Sequence, residues 1–373
     1  MDRGTGSIPG GFGGTAVNIL VRALLDLGHR VSLVTLDPTV AVGECVTLEG
    51  PNFSVDIGPY RPRQRARDLF AVERDVVRRA LRARRPDVIS AHWTYEFALG
   101  AIETGLPTLV TVRDAPSVVF RHNPSPYRLV RWWMHRMAVK KATRLAFNSP
   151  YTRAATLGQP ESDPGDILPN ALPDEMWQFL DKCVSSELGG TLISVNNGFG
   201  RLKNVQRLIE AFGYVREELP NARLELVGAG YEPDGQAARW ARRRQREGGI
   251  VFLGALAHGD TLNRIRLADV MVHPSLEESF GYTLIEAASM GTPVIAGRDS
   301  GAVPWVLGGG KFGALVDVRS PKAISAAVLD LLGDPQRWET LRRAAFDSGR
   351  DRFSSHRVAA QYVELLKETI GRG

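Results

Sequence analysis

Apolar positions along the chain follow two alternating rhythms. In "AVNILVRALLDLG" (16–28) they fall three and four residues apart, the spacing of one helix face. "RVSLVTL" follows as a strand-like run, and "RDLFAVERDVVRRALRARR" predicts a long amphipathic helix over 67–85 ahead of the strand "DVISAHW". "TLVTVRD" and "RLAFNS" read as further short strands. After the turn-rich "DILPNALPDEMWQF" the rhythm restarts with "TLISV", "ARLELVGAG", "IVFLGAL", "DVMVHPS" and "PVIAGRD", each followed by a helical or loop segment.

Strands alternating with helices predict parallel sheets covered by helices on both faces. Two such sets predict an α/β chain of two Rossmann-like, doubly wound domains. The first spans 1–168, a linker 169–188, the second 189–352, and a C-terminal helix within 353–373 can pack on either. Such a domain normally opens with a buried strand before its first glycine-rich turn. "MDRGTGSI" does not supply one, so either the start codon is placed too late, which is the expectation, or the first domain lacks an edge.

With 373 residues, two domains are the default. Two cysteines, Cys45 and Cys183, exclude a disulfide scaffold and a Cys-rich zinc site, and fit a reducing compartment. No apolar run approaches the length of a spanning helix, and the N-terminus lacks the apolar core of a signal peptide. A cytoplasmic protein is expected. The net charge of +6 lies entirely in residues 1–168, with 22 Lys+Arg against 16 Asp+Glu; the remainder balances at 25 and 25. A basic domain suggests an anionic partner: nucleic acid, phospholipid or phosphorylated substrate.

"GGFGGTAVN" (10–18) opens the first helix. Its glycines let backbone approach a phosphate or sugar, or form a plain flexible turn; the spacing matches neither the dinucleotide fingerprint nor a P-loop. In "SVNNGFGRLKNVQRLIEAF" (194–212) a strand ends in a glycine-rich loop, with Arg201 and Lys203 at the mouth of the next helix, an arrangement suited to a diphosphate. Gly228 and Gly230 of "LVGAGY" serve ligand approach or helix packing equally well.

"EESFGYTLIE" (277–286) places two acids at one strand–helix junction. With a helix starting near Gly281, Glu286 lies more than one turn inside it, at about 1.5 Å of rise per residue, while Glu278 stays in the loop. Carboxylates repel phosphate but accept hydrogen bonds from hydroxyls. The pair therefore points to a ligand carrying both a phosphate and sugars. Singly, each acid also reads as a surface or first-turn helix residue.

The segment "HPSLEESFGYTLIEAASMGTPVIA" (273–296) resembles the Glu-x7-Glu signature of the retaining glycosyltransferases of family 4. "GGFGG…ALLDLGHRVSLVT", "PDVISAHW", "AFNSPYT", "ILPN", "GRLKNVQRLIEAF", "LELVGAG", "VFLG" and "ADVMVHPS" agree in order over nearly the whole length. The resemblance implies a GT-B fold, two Rossmann-like domains facing across a cleft. It implies Glu278 at the donor sugar, Glu286 on the ribose, Lys203 on the diphosphate and His92 near the donor sugar. Gly13 and Gly14 correspond to the first-domain loop that closes on the diphosphate and acceptor. Phe280 and Gly281 are expected to offer backbone N–H groups. Three positions depart from the family pattern: Asn197 stands where an arginine is usual, with Arg201 as its substitute; Arg113-Asp114 stands for a His-Asp pair; and Trp305 for a glutamate.

The other histidines, His29, His122, His135, His258, His273 and His356, form no ligand-spaced pair, and His273 is expected to be structural. No Asp-x-Asp motif is present, so no metal and no cofactor is expected beyond the nucleotide sugar as co-substrate. "YRLVRWWMHRMAVKKATRL" (127–145) has two readings. Either Leu129, Trp132, Trp133 and Met137 face the core with the cations solvated, or the helix lies at an anionic membrane. No nucleic-acid module is recognisable.

The expected activity is transfer of a hexose-type sugar, with retention, from UDP- or GDP-sugar to a hydroxyl of a lipid-linked, polysaccharide or small-molecule acceptor. The alternatives are a catalytically weak homologue acting as a scaffold subunit, a sugar-nucleotide epimerase, and a nicotinamide-dependent oxidoreductase, the last weakened by the missing dinucleotide fingerprint.

Overall fold

The computed structural model describes residues 9–159, 166–178, 180 and 188–371. The expectation about the chain's start, and residues 179 and 181–187 of the expected linker, lie outside these described residues. The chain forms two compact units, Met1–Ala171 with Ser355–Gly373, and Leu172–Ser354.

Among its described residues the first unit holds six strands: β1 (Val31–Asp37), β2 (Val46–Glu49), β3 (Phe53–Pro59), β4 (Ile89–His92), β5 (Thr108–Val112) and β6 (Arg144–Phe147). One sheet has the order β1-β3-β2 and the other β4-β5-β6. All pairs are parallel except β2 with β3. The hydrophobic pattern misses β2 and β3, because Asp56, Gly58 and Pro59 of "FSVDIGP" read as turn residues. Tertiary contacts make them compatible with a strand. Asp56 accepts from Arg84 Nε and from Thr47 Oγ1, each at 2.7 Å, and a Cβ on Gly58 would stand 2.2 Å from Val76 Cγ1. Leu36, Val76 and Val77 pack with residues of β4 and β5 in one apolar cluster.

Two helices of this unit correct the sequence reading. The helix expected over 67–85 is shorter, Ala71–Arg84, because Leu69 and Phe70 take left-handed φ of 55° and 59° and bend the chain into it. In the helix Pro126–Lys141 it is Met134, His135 and Ala138 that are buried, whereas Leu129 and Trp133 are each 48% exposed. Nor is Arg131 simply solvated: it lies 3.3 Å from the centre of the Tyr95 ring and pairs with Glu96 at 2.5 Å. The helix Ser355–Ile370 belongs to this unit, burying Val358, Ala359 and Tyr362 against Leu20, Ala23 and Leu109. Among the described residues no helix is long and apolar enough to cross a membrane.

The second unit is one parallel sheet of β7 (Thr191–Val195), β8 (Arg223–Val227), β9 (Ile250–Gly254), β10 (Val270–His273), β11 (Val294–Gly297) and β12 (Ala314–Val316), in the order β12-β11-β10-β7-β8-β9. Alternation along the strands divides the core in two. Leu192, Val270 and Val272 pack on one face and Ile193 and Met271 on the other. From β7 the chain winds outward through β8 and β9, then returns to add β10, β11 and β12 on the opposite side. The β7/β10 boundary is therefore the topological switch point, the position at which open α/β sheets bind ligands.

Candidate functional site

The loops leaving β7 and β10 are fastened to each other at this switch point. Leu276 N–H donates to Leu202 C=O at 2.8 Å, and Ser275 Oγ donates to Asn196 Oδ1 at 3.2 Å. Asn204, at a left-handed φ of 54°, spends its side-chain amide on the carbonyls of Pro274 and Val318, at 3.0 and 2.8 Å. This places Lys203 Nζ 2.6 Å from Glu278 Oε1. His273 Nε2 lies 3.3 Å from the same oxygen, without hydrogen-bond alignment. Burial pushes the Glu278 carboxyl up, but His273 and then Lys203 outweigh it and hold the group at about 2. His273, expected to be structural, stands at the end of β10 facing this carboxylate. Its signal in the sequence is its place as the last residue of a buried strand.

Glu278 is also held from behind. Its carbonyl accepts from Ala302 N–H at 2.9 Å, and a Cβ on Gly301 (φ +61°) would stand 2.4 Å from that carbonyl oxygen. The helix Tyr282–Ser289 starts after Gly281, whose φ of +87° makes the turn out of the loop. Glu286 sits in its second turn, only 7% exposed, so it is not a surface helix acid. Its Oε1 meets His258 Nε2 at 2.8 Å, a partner that sequence spacing did not suggest. Phe280 turns its ring into the core against Tyr282, Trp305 and Phe353. Trp305, in the family's glutamate position, is a packing residue.

Arg201 is exposed at the turn and joins no ion pair among the described residues. Asn197 accepts from Ala229 N–H at 3.1 Å and ties the β7 loop to the β8 loop. At Gly228 a Cβ would stand 1.7 Å from Asn196 C=O, so close backbone approach accounts for this glycine. A hollow of about 570 Å³ lined by Gly198, Phe199, Gly230 and Arg239 lies beside these loops and does not include Lys203 or Glu278. Among the described residues no group of three or more His, Cys, Asp or Glu could hold a metal ion.

In the first unit the glycine-rich loop is anchored rather than loose. Gly11 N–H donates to Asp37 Oδ2 at 2.8 Å and Phe12 N–H to Leu36 C=O at 2.8 Å. Gly13 leads to Gly14, the residue before the helix Thr15–Asp26, and a Cβ on Gly14 would press to 2.9 Å from the Trp93 ring. The preceding residue, His92, is buried at the end of β4; burial and Arg113 hold its imidazole well below the usual histidine range.

Residues 13–171 match the family described as "Glycosyl transferase 4-like domain", and residues 186–348 match "Glycosyl transferases group 1". The chain is 26% identical to D-inositol 3-phosphate glycosyltransferase of Paenarthrobacter aurescens, over 97% of this chain and 95% of that protein. It is 25% identical to N-acetyl-alpha-D-glucosaminyl L-malate synthase of Bacillus anthracis, over 76% and 75%. Among solved structures, sucrose-phosphate synthase from Thermosynechococcus elongatus superposes with a TM-score of 0.76 at 19% identity, covering 98% of this chain and 97% of that one. Anabaena HepE in complex with UDP-glucose gives 0.65 at 19% identity, covering 84% and 86%. At such identities the structural likeness is one of fold, while the two family matches span both halves of the sequence. The chain belongs to the family 4 glycosyltransferases and has the GT-B fold.

Proposed function

We propose that the protein moves a hexose-type sugar from a UDP- or GDP-sugar to a hydroxyl group, with retention and without a metal. The observation that carries this reading is Lys203 set 2.6 Å from Glu278 at the switch point of the second unit's sheet. A cation beside an ionised acid suits a donor with a diphosphate at one end of the reacting bond and sugar hydroxyls at the other. As the anomeric C–O bond breaks, negative charge grows on the departing diphosphate. Lys203, with Arg201 and the Phe280 and Gly281 N–H groups, is assigned to stabilise it; Glu278 accepts from sugar hydroxyls and Glu286 from the ribose. The acceptor oxygen attacks the face the diphosphate leaves, and its proton passes to the departing phosphate oxygen. Gly13, Gly14 and His92 are assigned to the sugar and diphosphate side. The relatives named above, acting on inositol phosphate and malate, favour a small polyhydroxylated or anionic acceptor over a polymer.

The test is thermal-shift and calorimetric titration with UDP-, GDP-, ADP- and TDP-sugars, with and without EDTA. Stabilisation by one donor that survives EDTA, and is lost in Lys203→Ala and Glu286→Ala, supports the reading. If no nucleotide sugar binds, the scaffold alternative takes its place.

A second reading concerns where the enzyme works. Helix Pro126–Lys141 exposes Tyr127, Leu129 and Trp133, with Arg136, Lys140 and Lys141 following, and residues 115–160 contain no acid. Apolar and cationic groups on one surface helix suit the inner, anionic leaflet of a membrane, and we assign the protein a cytoplasmic, peripheral location.

A further inference from the structure

Arg113 is a buried cation, 7% exposed, and no carboxylate pairs with it among the described residues. Its side-chain partners among the described residues are an imidazole, a phenol and an amide. Nε and Nη2 reach His92 Nδ1 at 3.2 and 3.1 Å, Nη2 donates to Tyr362 Oη at 3.1 Å, and Nη1 bonds Asn170 Oδ1. Tyr362, from the helix Ser355–Ile370, donates in turn to Thr111 Oγ1 at 3.2 Å, and Asn148 Nδ2 holds the Arg113 carbonyl at 3.1 Å. Arg113 is therefore fixed at its side chain by the C-terminal helix and the 166–171 segment, and at its backbone by Asn148, the residue after β6.

A guanidinium has donors only. Any ring nitrogen that it meets must present a lone pair, so the shared contact at Nδ1 dictates the state of the whole imidazole. We propose that Arg113 is a positioning residue for His92: it occupies Nδ1, confines the ring proton to Nε2, and so makes His92 a hydrogen-bond donor that cannot serve as a base. The groups facing the ring are few. Ser90 Oγ lies 3.4 Å from Nε2, the Tyr362 ring 6.1 Å away, and Arg113 is the charged neighbour. A second ring proton would place N–H against N–H beside a fixed cation in a buried site, in line with the low pKa of this histidine. The role in catalysis rests on the donor-site assignment of His92 made above; the protonation state does not. If both hold, the acceptor's proton leaves by the phosphate and not through His92.

The experiment is nitrogen–carbon correlated NMR of histidine-labelled protein from pH 5.5 to 8, with the His92 signals identified by their loss in His92→Gln. In the wild type the expected pattern is a neutral ring protonated at Nε2 throughout. A ring protonated at Nδ1, or one that titrates near the ordinary histidine value, overturns the proposal without any variant. Arg113→Met removes the donors at similar length and is expected to populate the Nδ1-protonated ring and raise its pKa. Arg113→Lys, which keeps a donor, is expected to restore the wild-type pattern. Identical His92 signals in wild type and Arg113→Met overturn it. Donor and transfer assays on the same samples separate the two layers. Arg113→Met is expected to lose roughly tenfold or more in kcat, the scale of losing a ring-orienting partner, with KM little changed and with partial rescue in Arg113→Lys. Unchanged transfer beside a changed tautomer removes the catalytic role, and absent donor binding by the wild type sinks the donor-site assignment while leaving the tautomer result in place.

Discussion

Lys203 Nζ and Glu278 Oε1, 75 residues apart in sequence, are 2.6 Å apart in the fold. Neither is free to wander, because the loops carrying them are stitched by the Leu276–Leu202 backbone bond and by Asn204. On the proposed function, a donor diphosphate at this point competes with Glu278 for the ammonium. Lys203→Ala is expected to lower kcat by about 10²–10³, the cost of removing one preorganised charge-stabilising donor. Initial rates at saturating donor check this; a loss confined to KM would mean that Lys203 binds the ground state only.

Glu278, with His273 and then Lys203 against it, also makes stability depend on pH. The folded carboxyl of Glu278 is held at about 2, below its ordinary value of 4.5. Its contribution is therefore complete above about pH 4.5 and is lost as the pH falls through 2. Comparing thermal midpoints of wild type and Glu278→Gln from pH 7 to 2.5, the gap between them should narrow toward acid. In Lys203→Met the carboxyl loses a cation, its pKa rises, and the wild-type loss should move to higher pH. A gap that stays constant with pH would contradict the assigned ionisation.

Glu286 is buried with its Oε1 on His258, which is itself well exposed. Glu286→Ala is expected to weaken nucleotide-sugar binding roughly ten- to a hundredfold, the scale of a hydrogen bond to a charged group. His258→Ala should weaken it less. The reverse order in calorimetry would assign ribose recognition to the histidine.

Gly301 supports the loop of Glu278 from outside the motif. Its φ is +61°, and a Cβ there would meet the Glu278 carbonyl at 2.4 Å. Gly301→Ala is expected to cost about 1 kcal/mol or more in stability, from strain in a left-handed backbone position. Transfer should fall further than that, since the displaced atom belongs to the peptide of the site acid. Denaturant midpoints and rates on one preparation separate the two effects; full activity with unchanged stability would show that the loop yields without consequence.

Leu129 and Trp133, one helical turn apart, are each 48% exposed. Leu129→Ser with Trp133→Ser is expected to reduce sedimentation with phosphatidylserine vesicles while leaving neutral vesicles and soluble-acceptor turnover unaffected. Equal binding of wild type and double variant to anionic vesicles would remove this helix as the contact.

The sequence by itself determined the elements that rest on local pattern. Helix periodicity located Thr15–Asp26 and Val205–Glu218, and apolar-rich runs located β5, β10 and β11, because a strand buried on both faces has no polar side to hide its signal; β7, β8 and β9 were legible too, although Arg223 and Val251 of the last two are exposed. It also determined the fold class and the segment carrying Glu278 and Glu286, whose spacing across a strand–helix junction is a local fact. The tertiary structure decided what depends on partners distant along the chain. β3 forms because Arg84 and Thr47 satisfy Asp56, a contact that no periodicity encodes. Leu129 and Trp133 stay exposed because neighbouring elements take up Met134 and Ala138 instead. His273 and His258 come to lie beside the two acids only once β10 and the helix His258–Leu267 are packed against them. Arg113, read in the sequence as a departure from a pattern, acquires its role from Asn170 and Tyr362, 57 and 249 residues away. Hydrogen-bond geometry and burial belong to the packed chain; hydrophobic rhythm belongs to the sequence.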